Sequence, residues 1–192
     1  MKPTILKLSA LFLSLLFIGA GCNNDEDLFE LQIGDKNAVI QQEVNGIEFT
    51  FCLLNEAGEP ATVFNEGENF TFQFTITNNT DTVLYNDVSL FDEEGFCEIK
   101  NNEGSSGMSF DKPVAVELIG KVAFRIPVGS SVKNNILWIP NNDVWTEGHV
   151  SFKKNNNSYL TKGVYYTQFS HRFSFDTKQT HKLTFKINFQ VK

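Results

Sequence analysis

The chain has 192 residues, a formal net charge of −7 and 19 phenylalanines. An acidic surface repels phosphate backbones, so nucleic acid is not expected as a partner. Hydrophobic residues make up 41% of the chain, and the phenylalanines add large buried area per side chain, so a packed core in one domain is expected.

The first segment, Leu8 to Ala20, is an apolar run of thirteen residues behind Lys2 and Lys7. A membrane-spanning helix needs about 20 apolar residues. The run is too short to span and fits the core of a signal peptide. Gly19, Ala20 and Gly21 then lead to Cys22, with the small side chains that a signal peptidase accepts. The stretch "IGAGC" resembles the lipobox of bacterial lipoproteins. It departs in carrying Gly19 where that motif has an aliphatic residue, with Ile18 one place earlier. The resemblance implies a leader over residues 1–21, cleavage before Cys22, and lipidation of Cys22. Two or more acyl chains anchor a protein stably without spanning the membrane. The alternative is an ordinary secretory signal cut near Ala20, which leaves Cys22 a stray thiol. Asp25, Glu26 and Asp27 resemble the acidic tag that routes Bacteroidota lipoproteins to the cell exterior, which implies an outer-membrane, surface-exposed location. In plain chemical terms they are a solvated charge run at the start of a tether. Without the leader, 14 basic residues face 23 acidic ones, a net charge of −9.

Residues 22–38, including "NNDEDLFELQIGDKNA", read as a lipidated N-terminus and flexible tether ahead of a domain over 39–192. Strands follow. "VIQQEV" and "GIEFTFCLL" flank Asn45-Gly46, a two-residue hairpin signal because both residues accept positive φ. Ile47, Phe49, Phe51 and Leu53 share one face of the second run. "NFTFQFTIT" alternates strictly, with Phe70, Phe72, Phe74 and Ile76 on one face. "NNTDT" turns the chain toward "VLYNDVSLF". Further strands are expected at Val114–Ile119, Val122–Val128, Ile136–Ile139, His149–Phe152 and Val164–Phe175, and "KLTFKINFQVK" closes the chain. Residues 101–109 and 153–158 read as exposed loops. Short strands with regular turn signals predict an all-β antiparallel sandwich.

The stretch "GENFTFQFTITNNTDTVLY" resembles immunoglobulin-like modules of bacterial surface proteins. "CLLNEAGEPATVFNEGENFTF" and the closing "GVYYTQFSHRFSF" with "KLTFKINFQV" resemble small Bacteroidota surface lipoproteins. These stretches imply an immunoglobulin-like β-sandwich over most of 39–192. A looser likeness is to the immunoglobulin-like proteinase-inhibitor domain of Bacillus, with no inhibitory loop motif to transfer.

With Cys22 lipidated, two cysteines remain, Cys52 and Cys97. In an exported protein a bridge between them could persist and contribute about 3–4 kcal/mol. Free cysteines also serve as small buried hydrophobes. Neither has the close Cys or His neighbours of a zinc site. His149, His171 and His181 lack the HExxH spacing, and the chain has no GxSxG elbow or Walker loop. Asp87, Asp92, Glu93, Glu94 and Glu98 cluster without the alternation that aims carboxylates at calcium, and read as a solvated turn. No catalytic residue, metal or cofactor is assigned.

Recognition chemistry concentrates in "ILWIPNNDVWTEGH". Trp138 and Trp145 bracket Asn141, Asn142 and Asp143, and Tyr159 lies in a second polar loop. Aromatic faces stack on sugar rings while Asn and Asp bond hydroxyls. Trp138 is expected in the core, and Trp145 serves either as a ligand contact or as packing. "DTV" at Asp81–Val83 resembles the Asp-Thr-aliphatic motif that Bacteroidota O-glycosylate on exported proteins, which would place a glycan on Thr82. The leading expectation is a non-enzymatic, membrane-anchored module that binds an extracellular glycan or protein. The alternatives are an inhibitor of secreted proteases, acting through 101–109 or 153–158, and a hydrolase with a site assembled only in space.

Overall fold

In the sheet that opens the domain, β2 (Ile40–Val44) and β3 (Ile47–Leu54) pair antiparallel across Asn45-Gly46. Both turn residues take positive φ, 56° and 77°, as a two-residue hairpin requires. β5 (Thr71–Asn78) adds to β3, and β10 (Ser131–Leu137) adds to β5, giving the order β2-β3-β5-β10. The computed structural model describes residues 26–86, 95–111, 124–147, 150–175 and 178–192. They are all-β, with no helix among them.

The second sheet is built on the C-terminal pair β13 (Gly163–His171) and β16 (Lys182–Val191), antiparallel over nine residue pairs. β7 (Glu98–Asn101) joins β13, and β8 (Gly104–Met108) forms the far edge. On the other side of β16 lie two parallel strands: β1 (Glu26–Leu31) against its first half and β4 (Val63–Phe64) against its end. The sheet order is β1-β16-β13-β7-β8, a mixed sheet.

Alternation makes these two sheets face each other. Period two puts every second side chain of β3, β5, β13 and β16 on one face. Those faces carry the phenylalanines, so burial drives the sheets together. The Phe185 ring in β16 lies 5.3 Å from Phe74, 6.1 Å from Phe49 and 6.5 Å from Phe51 across the interface, and 5.3 Å from Phe169 on its own sheet. Tilted and edge-on aromatic pairs of this kind add about 0.5–1.5 kcal/mol each beyond the area they bury.

A small sheet lies where β16 begins. It contains β6 (Leu84–Asn86), β9 (Phe124–Ile126), β14 (Ser174–Phe175) and β15 (Lys178–Gln179) in the order β15-β14-β6-β9. Asn78 ties the end of β5 to this region. Its buried amide donates to the carbonyls of Thr82 (2.8 Å) and Ile126 (2.9 Å), and its oxygen accepts from the backbone N–H of Thr80. The expected turn at "NNTDT" is therefore organised by its first asparagine. Between β10 and β13, β11 (Val144–Glu147) and β12 (Val150–Lys153) form a separate hairpin.

Several segments differ from their sequence reading. Residues 26–31, expected within a tether over 22–38, form β1, and Phe29 packs 5.4 Å from Phe185. Of the acids read as a solvated run, Glu26 and Asp27 are exposed and also carry partners, as does Glu30 further along β1. Glu26 meets Lys182 at 3.1 Å and accepts from Thr184, Asp27 meets His181, and Glu30 meets Lys186 at 2.7 Å. Residues 101–109, expected as an exposed loop, contain the β7–β8 hairpin and β8. The Ile136–Ile139 strand begins five residues earlier, at Ser131. Val114–Ile119, His149, the 1–21 leader, Cys22 and Asp25 lie outside the described residues.

The Cys52–Cys97 bridge is not made: both are free, buried thiols. Cys52 lies on the opposite face of β3 from the core residues Phe51 and Leu53, whereas Cys97 belongs to the core. Burial pushes the Cys52 thiol up to about 11 and the Cys97 thiol well above its ordinary range. At neutral pH both therefore stay protonated, and a thiol in that form is a poor nucleophile.

Candidate functional site

Of the residues singled out between Trp138 and Tyr159, Trp138 lies at the end of the sandwich where β16 finishes and reaches the Ser158 carbonyl, next to Tyr159. Trp138 is the base. It is 1% exposed, stacks on Phe70 with the rings 6° from parallel, and donates its indole N–H to the Ser158 carbonyl at 3.1 Å. Its expected core role is met, and the same ring joins the two loops, because Ser158 lies in one and Trp138 opens the other.

Asn69, which the sequence reading did not single out, holds the next residue. Its amide donates to the Ile139 carbonyl at 3.0 Å and its oxygen accepts from the Ile139 N–H at 3.1 Å. Asn157 adds a second brace by donating to the carbonyls of Met108 and Trp138. No periodicity marks these residues. The only hint is an asparagine at the start of a strongly alternating strand, where an amide can satisfy the backbone of a neighbouring loop.

Beyond that brace Asn141, Asn142 and Asp143 are exposed, followed by Val144 at 56% exposure. Lys154 pairs with Asp143 at 2.8 Å, and its backbone N–H donates to the Asp143 carbonyl at 3.0 Å. The Lys154 ammonium holds the Asp143 carboxyl below its ordinary range, so it is ionised and acceptor-only at neutral pH. Tyr159, 52% exposed, supplies an aromatic face in the second loop. Trp145 lies in β11, opposite Phe152. The two loops offer amide donors and acceptors, a carboxylate and a phenol, groups that hydroxyl-rich ligands or a polar protein surface would engage.

Below them Tyr165 is the third residue of β13. Its hydroxyl donates to the Thr161 carbonyl at 2.9 Å, and its ring stacks on Phe189. The β16 strand runs ten residues from Lys182 to Val191, about 30 Å at ~3.3 Å per residue. Glu26 pairs with Lys182 at its start, and Phe189 lies beneath the loops at its end. The N-terminal strand therefore begins at the end opposite the Trp138–Tyr159 loops.

On the outer face of the second sheet, Gly95, Lys100, Tyr166, Gln168, Ser170 and Lys182 line a shallow recess of about 430 Å³. Lys100 and Lys182 are each engaged there, by Glu98 at 3.0 Å and by Glu26. His181 is spent on Asp27, and His171 packs edge-on against Phe173. Among the described residues no group of three or more His, Cys, Asp or Glu is placed to hold a metal ion. Asp87 and Asp92–Glu94 lie outside those residues, and Glu98 is paired with Lys100. Thr82 is exposed, in the turn that Asn78 organises. No protein-family model matches the chain, and no curated protein matches it.

Proposed function

We propose that the chain is a surface-anchored, non-enzymatic lipoprotein whose immunoglobulin-like sandwich presents a binding surface for an extracellular glycan or protein. The observation that carries this reading is the separation of its two ends. The chain comes in from its N-terminal side beside Lys182, and the exposed Asn141–Val144 and Tyr159 surface lies at the far end of β16. A module lipidated at Cys22 in the outer membrane would hold that surface outward, and Thr82 would carry any glycan near the anchored end.

Strand order supports the immunoglobulin-like part. The arrangement β3-β5-β10 against β16-β13-β7-β8 follows the A-B-E and G-F-C-C′ order of such sandwiches, with β2 added at one edge. The Tyr165–Thr161 bond has the form of the tyrosine corner, a tyrosine near the start of strand F bonded to backbone a few residues upstream. Binding is tested with the mature protein on a broad glycan array and by capture from a defined set of purified extracellular proteins. Binding that is lost in Tyr159→Ala and Asn142→Ala, with the fold intact, supports the reading. Silence across both screens, or binding unchanged by both substitutions, overturns it.

A further inference from the structure

The anchored end of the sandwich carries an exposed surface that the binding reading leaves unused. In the small sheet Tyr85 pairs across from Arg125, so both side chains emerge on one side. Tyr85 is 41% exposed and Arg125 is exposed. Two residues beyond Ile126 the chain turns at Val128, which is 52% exposed, and Ser130 N–H closes that turn onto the Pro127 carbonyl at 3.0 Å. Arg172, also exposed, follows the end of β13 at the same end of the molecule.

Chain connectivity places this surface at the same end of the molecule as the start of the N-terminal strand. β15 leads through Thr180 into His181 and Lys182, the partners of Asp27 and Glu26, and β15, β14, β6 and β9 are hydrogen-bonded neighbours. Glu26 is four residues after Cys22. Even fully extended, four residues reach at most about 14 Å, at ~3.3–3.6 Å each. That is about half the length of β16. A lipid on Cys22 therefore keeps Glu26 within about 14 Å of the lipid glycerol, so this end is the part of the domain held nearest the bilayer.

We propose that the Tyr85–Arg125–Val128 surface rests in the headgroup layer of the bilayer that holds the lipid anchor; this rests on the lipoprotein reading above. The chemistry matches that layer. Tyrosine rings favour the membrane–water interface, with the ring toward the acyl boundary and the hydroxyl in water. Guanidinium groups at Arg125 and Arg172 make paired hydrogen bonds to phosphate oxygens. Glu43 and Asp81 are exposed at the same end, so the surface is not a uniformly basic patch. The leash, and not a charged field, holds the contact. A free domain without its lipid would not bind vesicles.

The two buried, protonated thiols make the test selective, because an added surface cysteine is the only reactive one in the folded, lipidated protein. The full precursor is expressed in a host that processes lipoproteins, as Val128→Cys and, separately, Tyr159→Cys. Each is labelled with an environment-sensitive fluorophore and reconstituted into phosphatidylethanolamine–phosphatidylglycerol vesicles, with and without a headgroup nitroxide lipid. The expected result is a blue shift and nitroxide quenching at position 128, and neither at position 159. Lipid on Cys22, seen by mass spectrometry, with no quenching at 128 overturns the footprint and leaves the lipoprotein reading standing. A blue shift at 128 that depends on protein concentration but not on nitroxide assigns the surface to a second copy and also overturns it. An unlipidated N-terminus removes both together.

Discussion

The Tyr165 hydroxyl donates to the carbonyl of Thr161, 2.9 Å away and four residues earlier in the chain. The bond fixes the corner through which the chain enters β13, and the ring beneath it stacks on Phe189. Tyr165→Phe keeps the ring and removes the donor. It should lower stability by about 1 kcal/mol, read as a shift in denaturant midpoint with an unchanged slope. A midpoint equal to that of the parent would mean the bond holds nothing.

β1 should detach as pH falls. Glu26 is held below its ordinary value of 4.5 by bonds from Thr184 and Lys182, and Glu30 by Lys186 and Asn188. Carboxyls with lowered folded values contribute fully above their ordinary range, and the contribution is lost as pH falls through the folded values. Hydrogen exchange should show residues 26–31 losing protection as pH falls below the ordinary value of 4.5, and also at high salt because these pairs are exposed, while β5 keeps its protection. Equal loss in both strands would refute a separately held β1.

Reductant should leave stability unchanged. With Cys52 and Cys97 facing opposite sides of a sheet, dithiothreitol has no bond to break. A bridge across that span would cost about 3–4 kcal/mol on reduction. Thermal melts with and without reductant, beside thiol counting before and after unfolding, decide the matter. Both thiols should react only once the protein unfolds.

Asn69→Ala should act on the outward loops without touching any ligand. It strips the partners from both the N–H and the C=O of Ile139. Leaving buried backbone groups unpaired costs about 1–3 kcal/mol. Exchange protection should fall at residues 138–143, and any binding lost in Tyr159→Ala should weaken here too. Intact protection at 138–143 would show that Pro140 and Trp138 shape the loop alone.

Elements whose side chains decide their fate locally were legible. Alternating phenylalanines announced β3, β5 and β16, and Asn45-Gly46 announced the first hairpin. β1 was not legible, because "EDLFEL" looks like tether until Lys182, Lys186 and His181, some 150 residues away, supply partners for its acids. β8, "GSSGM", has no apolar face, since it is an edge strand with little to bury. The first half of β10 is mostly polar for the same reason, with Val132 alone packed against the core. In the outward loops, exposure of Asn141, Asn142, Asp143 and Tyr159 followed from composition. The amides of Asn69 and Asn157 that position them did not, because a brace is a spatial fact.

The parallel pairing of β1 with β16 bears on how the domain takes load. The N-terminus of β1 and the C-terminus of β16 lie at opposite ends of a six-residue ladder. A pull between the start of β1 and the end of β16 runs along those strands in opposite directions. It slides them past each other in shear, so the rungs share the force at once. Peeling, in which rungs fail singly, would need a pull across the strands. The first and last strands together form a clamp that a pull on their far ends loads in shear.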